Sequence, residues 1–126
     1  MNEIDFLSEV SLFCQLKRED LKRIADQTRH LKFDKGEVII REGAHGNKLF
    51  IIISGRAEAI KNLDGKGERA LGSIGPRSYF GEMALIDDLP RSASVVAEED
   101  TQVLTLEWDM RKEIENKLGL EAMDIY

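Results

Sequence analysis

The residues best suited to chemistry in this chain lie between Tyr79 and Val95. Gly81 and Glu82 come first, then the apolar run Met83-Ala84-Leu85-Ile86, then Pro90, Arg91 and Ser92. Nine positions separate Glu82 from Arg91, so a short loop–helix–loop can aim both at one ligand. Arginine grips an oxyanion such as phosphate with a planar fork of donors. A carboxylate beside it accepts hydrogen bonds from a neutral pair of sugar hydroxyls. Free amides at the N-terminus of a helix after Gly81 would add partial positive charge. A phosphodiester joined to a ribose is the surface such a set fits.

Other chemistries find less support. His30 and His45 are isolated, with no His-x-His pattern and no acid at ligand spacing, so a metal centre is not expected. Gly65-Lys66-Gly67 lacks the third glycine of a dinucleotide fingerprint and reads as a hairpin turn. No nucleophile, base and orienting group stand in a recognisable set, so catalysis is not expected. The single Cys14 excludes an internal disulfide and a cysteine zinc site, and is expected to be a small buried apolar residue. A net charge of −6 argues against nucleic acid, whose affinity rests on phosphate contacts. It also places the weight of binding any anion on local groups, Arg91 first. The longest apolar run, Leu49 to Ile53, is too short to span a bilayer. The acidic start at Met1-Asn2-Glu3-Ile4-Asp5 carries no signal core, so a cytoplasmic protein without membrane insertion is expected.

The elements that must position these residues follow from hydrophobic spacing. Residues 3–9 read as a short helix with Ile4, Leu7, Phe6 and Val10 inward, and Ser11-Leu12-Phe13 as a turn planting Phe13 in the core. Leu21, Ile24 and Ala25 stand at helical spacing within a second helix, from Lys17 to Thr28. The cations from Lys17 to Lys35 alternate with acids and read as a solvated face. From Leu31 onward the period falls toward two and glycines punctuate. Strands are expected at Leu31–Phe33, Val38–Ile40, Leu49–Ile53, Ala57–Ile60, Arg69–Ile74, Ser92–Ala97 and Gln102–Leu106. Leu49 to Ile53 is apolar on both faces and should be central. Short strands with Gly-rich turns at this spacing predict a sandwich or barrel, here a small β jelly-roll barrel with helices at both ends. Met110, Ile114 and Leu118 then share one face of a C-terminal helix capped near Gly119. The length suits one domain over 1–126: N-terminal helices in 1–30, β-barrel in 31–107 with the Tyr79–Val95 stretch (79–95) inside it, and C-terminal helix and tail in 108–126.

Two separated motifs carry a family resemblance. Phe80-Gly81-Glu82-Met83-Ala84-Leu85, followed by Pro90-Arg91-Ser92-Ala93-Ser94, resembles the phosphate-binding cassette of cyclic nucleotide-binding domains. These are modules of cyclic AMP- and cyclic GMP-dependent kinases, cyclic nucleotide-gated channels and bacterial catabolite activator proteins. Two helices, Phe33-x-x-Gly36-Glu37-x-Ile39, Glu42-Gly43 and Leu49-Phe50-x-Ile52-x-Ser54-Gly55 extend the similarity to roughly residues 5–118. Two features depart from the family. Arg77 follows Pro76 where glycine is usual, which predicts a reshaped or strained turn. The long helix that commonly lids the base is short or absent.

The resemblance implies a jelly roll that also carries a short phosphate-cassette helix. It implies a non-catalytic regulatory module that binds cyclic AMP or cyclic GMP as ligand and uses no cofactor. It places Arg91 on the exocyclic phosphate oxygens and Glu82 on the ribose 2′-hydroxyl. Gly81, Met83, Ala84 and Ser92 would contribute mainly backbone amides. Ser92 leaves the base open, with cyclic AMP favoured over cyclic GMP. Ligand binding would draw the cassette helix toward the phosphate and shift Leu85, Ile86 and Leu89 against Met110 and Ile114. No output element accompanies the module, so an effector domain, a partner protein or a homodimer through the C-terminal helix is expected to read the switch. Two other readings use the same scaffold. One is a binding-deficient domain serving protein–protein contact; the other is a jelly-roll metalloenzyme, disfavoured by the unclustered histidines.

Overall fold

The computed structural model describes residues 2–44, 48–81 and 91–107. Two short helices precede the sheets: α1 (Glu3–Ser8) and α2 (Arg18–Gln27), joined through a 3₁₀ turn at Ser11–Phe13. Asn2 caps α1 by accepting the Asp5 amide at 2.8 Å, satisfying a donor the helix itself cannot. The 3₁₀ turn repeats every three residues. Val10 and Phe13 therefore both point inward and are fully buried, with Leu16 packed beside them. Cys14 lies one step off that face and is exposed, contrary to the buried position expected from its type. In α2, Leu21, Ile24 and Ala25 are buried, as their spacing predicts.

Among the described residues eight strands follow: β1 (Arg29–Phe33), β2 (Val38–Ile40), β3 (Lys48–Ser54), β4 (Ala57–Lys61), β5 (Arg69–Ile74), β6 (Tyr79–Phe80), β7 (Ser94–Ala97) and β8 (Thr101–Glu107). They form two four-stranded antiparallel sheets, in the orders β1-β8-β3-β6 and β2-β7-β4-β5. The jelly roll is thus built as two facing sheets, which the described strands do not close into a barrel. The last but one strand expected, from Ser92, begins two residues later, because Arg91 to Ala93 run outside the ladder.

β3 explains how the layers are held. Its alternate residues Leu49 and Ile51 face the helices, in a cluster with Phe6, Leu7, Phe13, Leu21, Ile24, Leu104 and Leu106. Phe50 and Ile52 face the other way, with Phe80, Val103, Ala57 and Val95 between the sheets. A strand covered on both faces needs no polar side, hence the unbroken apolar run. β1 is an edge strand, and its Leu31 stays 37% exposed despite the alternation with Phe33. Gly55, directly after β3, has φ +92°, and a Cβ there would collide with the Asp100 carbonyl and with Thr101. The β3–β4 turn can pack against the β7–β8 turn only with glycine at that position.

Candidate functional site

Arg91 stands at the seam between the two sheets. Its main chain is pinned by the turn after β2: the Arg91 amide donates to the Ala44 carbonyl at 2.9 Å, and the Gly43 amide donates to the Arg91 carbonyl at 2.8 Å. Its side chain crosses to the other sheet. Nη1 donates to the Gly81 carbonyl at 2.9 Å, and Nη2 to the Lys48 carbonyl at 3.0 Å. The residue is only 9% exposed. Both of these carbonyl acceptors orient the guanidinium. A cation fixed at both ends and largely desolvated is prepared to grip an anion, because little rotamer entropy remains to be lost.

Gly81 makes that anchoring possible. β6 pairs with β3 through Phe50↔Phe80 and Ile51↔Tyr79, and the Phe50 and Phe80 rings stack with centroids 5.1 Å apart. This pairing delivers Gly81 to the start of β3, next to Lys48. Gly81 has φ +89°, and a Cβ there would stand 2.7 Å from Arg91 Nη1 and 2.8 Å from the Lys48 carbonyl oxygen. Backbone geometry and space therefore both demand glycine. Upstream, Arg77 has φ +69°, the left-handed backbone expected where glycine would be more comfortable. Its amide donates to the Ile52 carbonyl at 2.8 Å, and its Nε donates to Glu9 Oε2 at 2.6 Å, tying this turn to the end of α1.

Of the residues expected at the site, the structure brings Gly81 and Arg91 into direct contact and leaves Ser92 exposed beside them. Glu82, Met83 and Ala84 lie outside the described residues, as do the expected cassette helix, Leu85, Ile86, Leu89, His45, and the expected C-terminal helix with Met110, Ile114 and Leu118. Sequence reasoning missed the groups behind Arg91 and Ser92. Lys48 contributes only a carbonyl, which no side-chain pattern reveals. Lys61 donates from Nζ to the Ser92 carbonyl at 2.9 Å and pairs with Glu42 Oε2 at 3.1 Å. Glu42 Oε1 accepts the Asn62 amide at 2.9 Å. That amide, and then the Lys61 ammonium, hold the Glu42 carboxyl below its ordinary value of 4.5. The Glu42-Gly43 pair was a visible signal, as a turn and as part of the family pattern, but neither reading points to its link with Lys61 and Ser92.

Among the described residues, no group of three or more His, Cys, Asp or Glu is placed to hold a metal ion. His30 Nε2 lies 2.9 Å from Gln102 Oε1 on an exposed face. No described helix is long and apolar enough to cross a membrane.

Comparisons with known proteins agree with this architecture. The sequence profile described as "Cyclic nucleotide-binding domain" matches residues 30–115. A cAMP-dependent protein kinase regulatory subunit from Aspergillus fumigatus is 43% identical over 80% of this chain, which spans 24% of that protein's length. The regulatory domain of Toxoplasma gondii PKA, solved with cAMP, superposes with a TM-score of 0.84 at 29% identity, over 95% of this chain and 48% of that one. The regulatory subunit of a cAMP-independent protein kinase A from Trypanosoma brucei gives 0.79 at 27% identity, over 94% and 42%. The two-sheet fold, the Gly81–Arg91 seam and these matches together show that the chain belongs to the cyclic nucleotide-binding domain family.

Proposed function

We propose that this chain is a non-catalytic regulatory module that binds a cyclic nucleotide, cyclic AMP in preference to cyclic GMP, within a single domain over residues 1–126. The observation that carries the reading is the Arg91 guanidinium, buried and oriented by the Gly81 and Lys48 carbonyls. In this reading Arg91 grips the exocyclic phosphate oxygens, Glu82 accepts from the ribose 2′-hydroxyl, and Gly81, Met83, Ala84 and Ser92 present amides. The phosphate would meet a guanidinium already held in place, so little rotamer entropy is lost on binding. Similarity to the Aspergillus and Toxoplasma proteins supports cyclic AMP as the nucleotide. The output is a two-state shift of the cassette against the C-terminal helix, read in the cytoplasm by an effector domain, a partner protein or a second copy.

A second reading is a domain of this fold that binds no nucleotide and serves protein–protein contact. Similarity to the Trypanosoma regulatory subunit, whose kinase is described as cAMP-independent, favours it. Titration calorimetry with cyclic AMP and cyclic GMP separates the two. Saturable uptake is expected, tighter for cyclic AMP. Arg91→Ala should weaken it by ~2–5 kcal/mol, or about 30- to several-thousand-fold. Failure of the wild-type chain to take up either nucleotide would leave the scaffold reading.

A further inference from the structure

Beside the seam lies a polar strap that the ligand contacts do not use. The two oxygens of Glu42, in the turn after β2, serve different partners: Oε1 accepts the Asn62 amide, and Oε2 meets the Lys61 ammonium at 3.1 Å. The same ammonium donates to the Ser92 carbonyl at 2.9 Å. The Glu42 amide in turn donates to Ser94 Oγ at 3.0 Å, and Ser94 is buried. Three segments distant in sequence are thereby joined: the turn after β2, the end of β4 and the entry to β7.

The strap acts on the main chain that follows Arg91. The Arg91 carbonyl is held by the Gly43 amide, and the Ser92 carbonyl by Lys61. Fixing two consecutive carbonyls sets the orientation of both peptide planes, because each plane is rigid. The direction of the Ser92 amide is set with them. Lys61 and Glu42 side chains are 36% and 28% exposed, and ion pairs so open to water add little to global stability. Their consequence is local.

We propose that Lys61 and Glu42 are positioning residues of the nucleotide site, holding the Ser92–Ala93 peptide and, through it, steadying the adjoining Arg91–Ser92 peptide that the Gly43 amide fixes, in the orientation that receives the ligand. This rests on the ligand reading above. Lys61→Met keeps the aliphatic stem and removes the ammonium; Glu42→Gln keeps an acceptor for Asn62 and removes the charge. The test measures, on the whole chain, the cyclic AMP Kd by calorimetry, the exchange rates of the Gly43 and Arg91 amides by NMR, and Tm. Lys61→Met should raise Kd about tenfold and speed both amides, with Lys61→Arg restoring them. The double variant should add little to either single change, since both break one link. Tm should move by no more than about 4 °C. A Kd within twofold of wild type, with both amides exchanging as before, would overturn the proposal. A large fall in Tm that accounts for the lost affinity would overturn it too, since the strap would then be merely structural. Should the wild-type chain bind neither nucleotide while Lys61→Met still speeds the two amides, the ligand reading fails and the positioning of the main chain stands.

Discussion

Among the described residues the two sheets have equal numbers of strands, and they are stabilised by different physics. The sheet β1-β8-β3-β6 is covered by helices on one face and by its neighbour on the other, and Leu49, Ile51, Ile52 and Leu106 are fully buried in it. In the sheet β2-β7-β4-β5, β5 is exposed from Arg69 to Ser73, and β2 and most of β4 are only half-buried. Polar links recur there: Arg56 Nε donates to Ser73 Oγ, which donates to Glu98, and Lys61 joins Glu42 to Ser92. Apolar packing is non-directional and large in sum, whereas exposed polar links are directional and individually weak. The candidate site lies on the seam. Its cation enters from the polar sheet and its guanidinium is aligned by carbonyls of the packed one. Rigid packing thus supplies the reference frame, and directional links set orientation within it.

The contrast is sharpest in stability. Leu104→Ala, in the helix-facing cluster, should cost ~2–5 kcal/mol in denaturant unfolding, through lost transfer energy plus a cavity. Leu71→Ser, at a position 48% exposed on β5, should change stability by no more than about 0.5 kcal/mol. Equal losses at the two positions would break the comparison. Gly81→Ala tests the seam itself. It should cost ~1–2 kcal/mol from the left-handed backbone alone, and displacement of Arg91 by the new Cβ should remove nucleotide binding in calorimetry.

Arg77→Gly should have a smaller effect, of opposite sign. Glycine relieves ~1–2 kcal/mol of backbone strain, while an exposed ion pair such as Arg77–Glu9 returns only ~0.2–1 kcal/mol. A modest rise in Tm is therefore expected, and a fall would show that the tie to α1 outweighs the strain. The smallest effect concerns acid. The Glu42 carboxyl is held below 4.5 by the Asn62 amide and then by Lys61. A depressed carboxylate contributes stability above its unfolded pKa and loses it as pH falls through its folded value. Wild type should thus be slightly more stable than Glu42→Gln at pH 6, and the two should converge as the pH falls below 4.5. Parallel unfolding curves across that range would show that the strap does not depend on the charge of Glu42.

Much of this was legible in the residues. The apolar run Leu49 to Ile53 announced a strand covered on both faces, because every position needs an apolar neighbour there. Leu21, Ile24 and Ala25 announced one inward helix face. Arg77 after Pro76 announced an uncomfortable turn, and its φ of +69° is that turn. Cys14 misled, because residue type predicts average burial while the three-residue period of the 3₁₀ turn decides the face. The pairing of Tyr79-Phe80 with β3 was hidden, since a two-residue strand has no period to read.

By itself the sequence determined the order of the described elements apart from β6, most of the faces that must be buried and the family, because these depend on local periodicity and on motifs contiguous in the chain. Only the tertiary structure decided that Arg91 is held by the Gly81 and Lys48 carbonyls and that Lys61 and Glu42 brace Ser92. Those partners stand between 10 and 43 positions apart and three are main-chain oxygens, common to every residue type. Hydrogen bonds of that kind are chosen by where folding brings backbone and side chain together, and no pattern of side chains encodes them in advance.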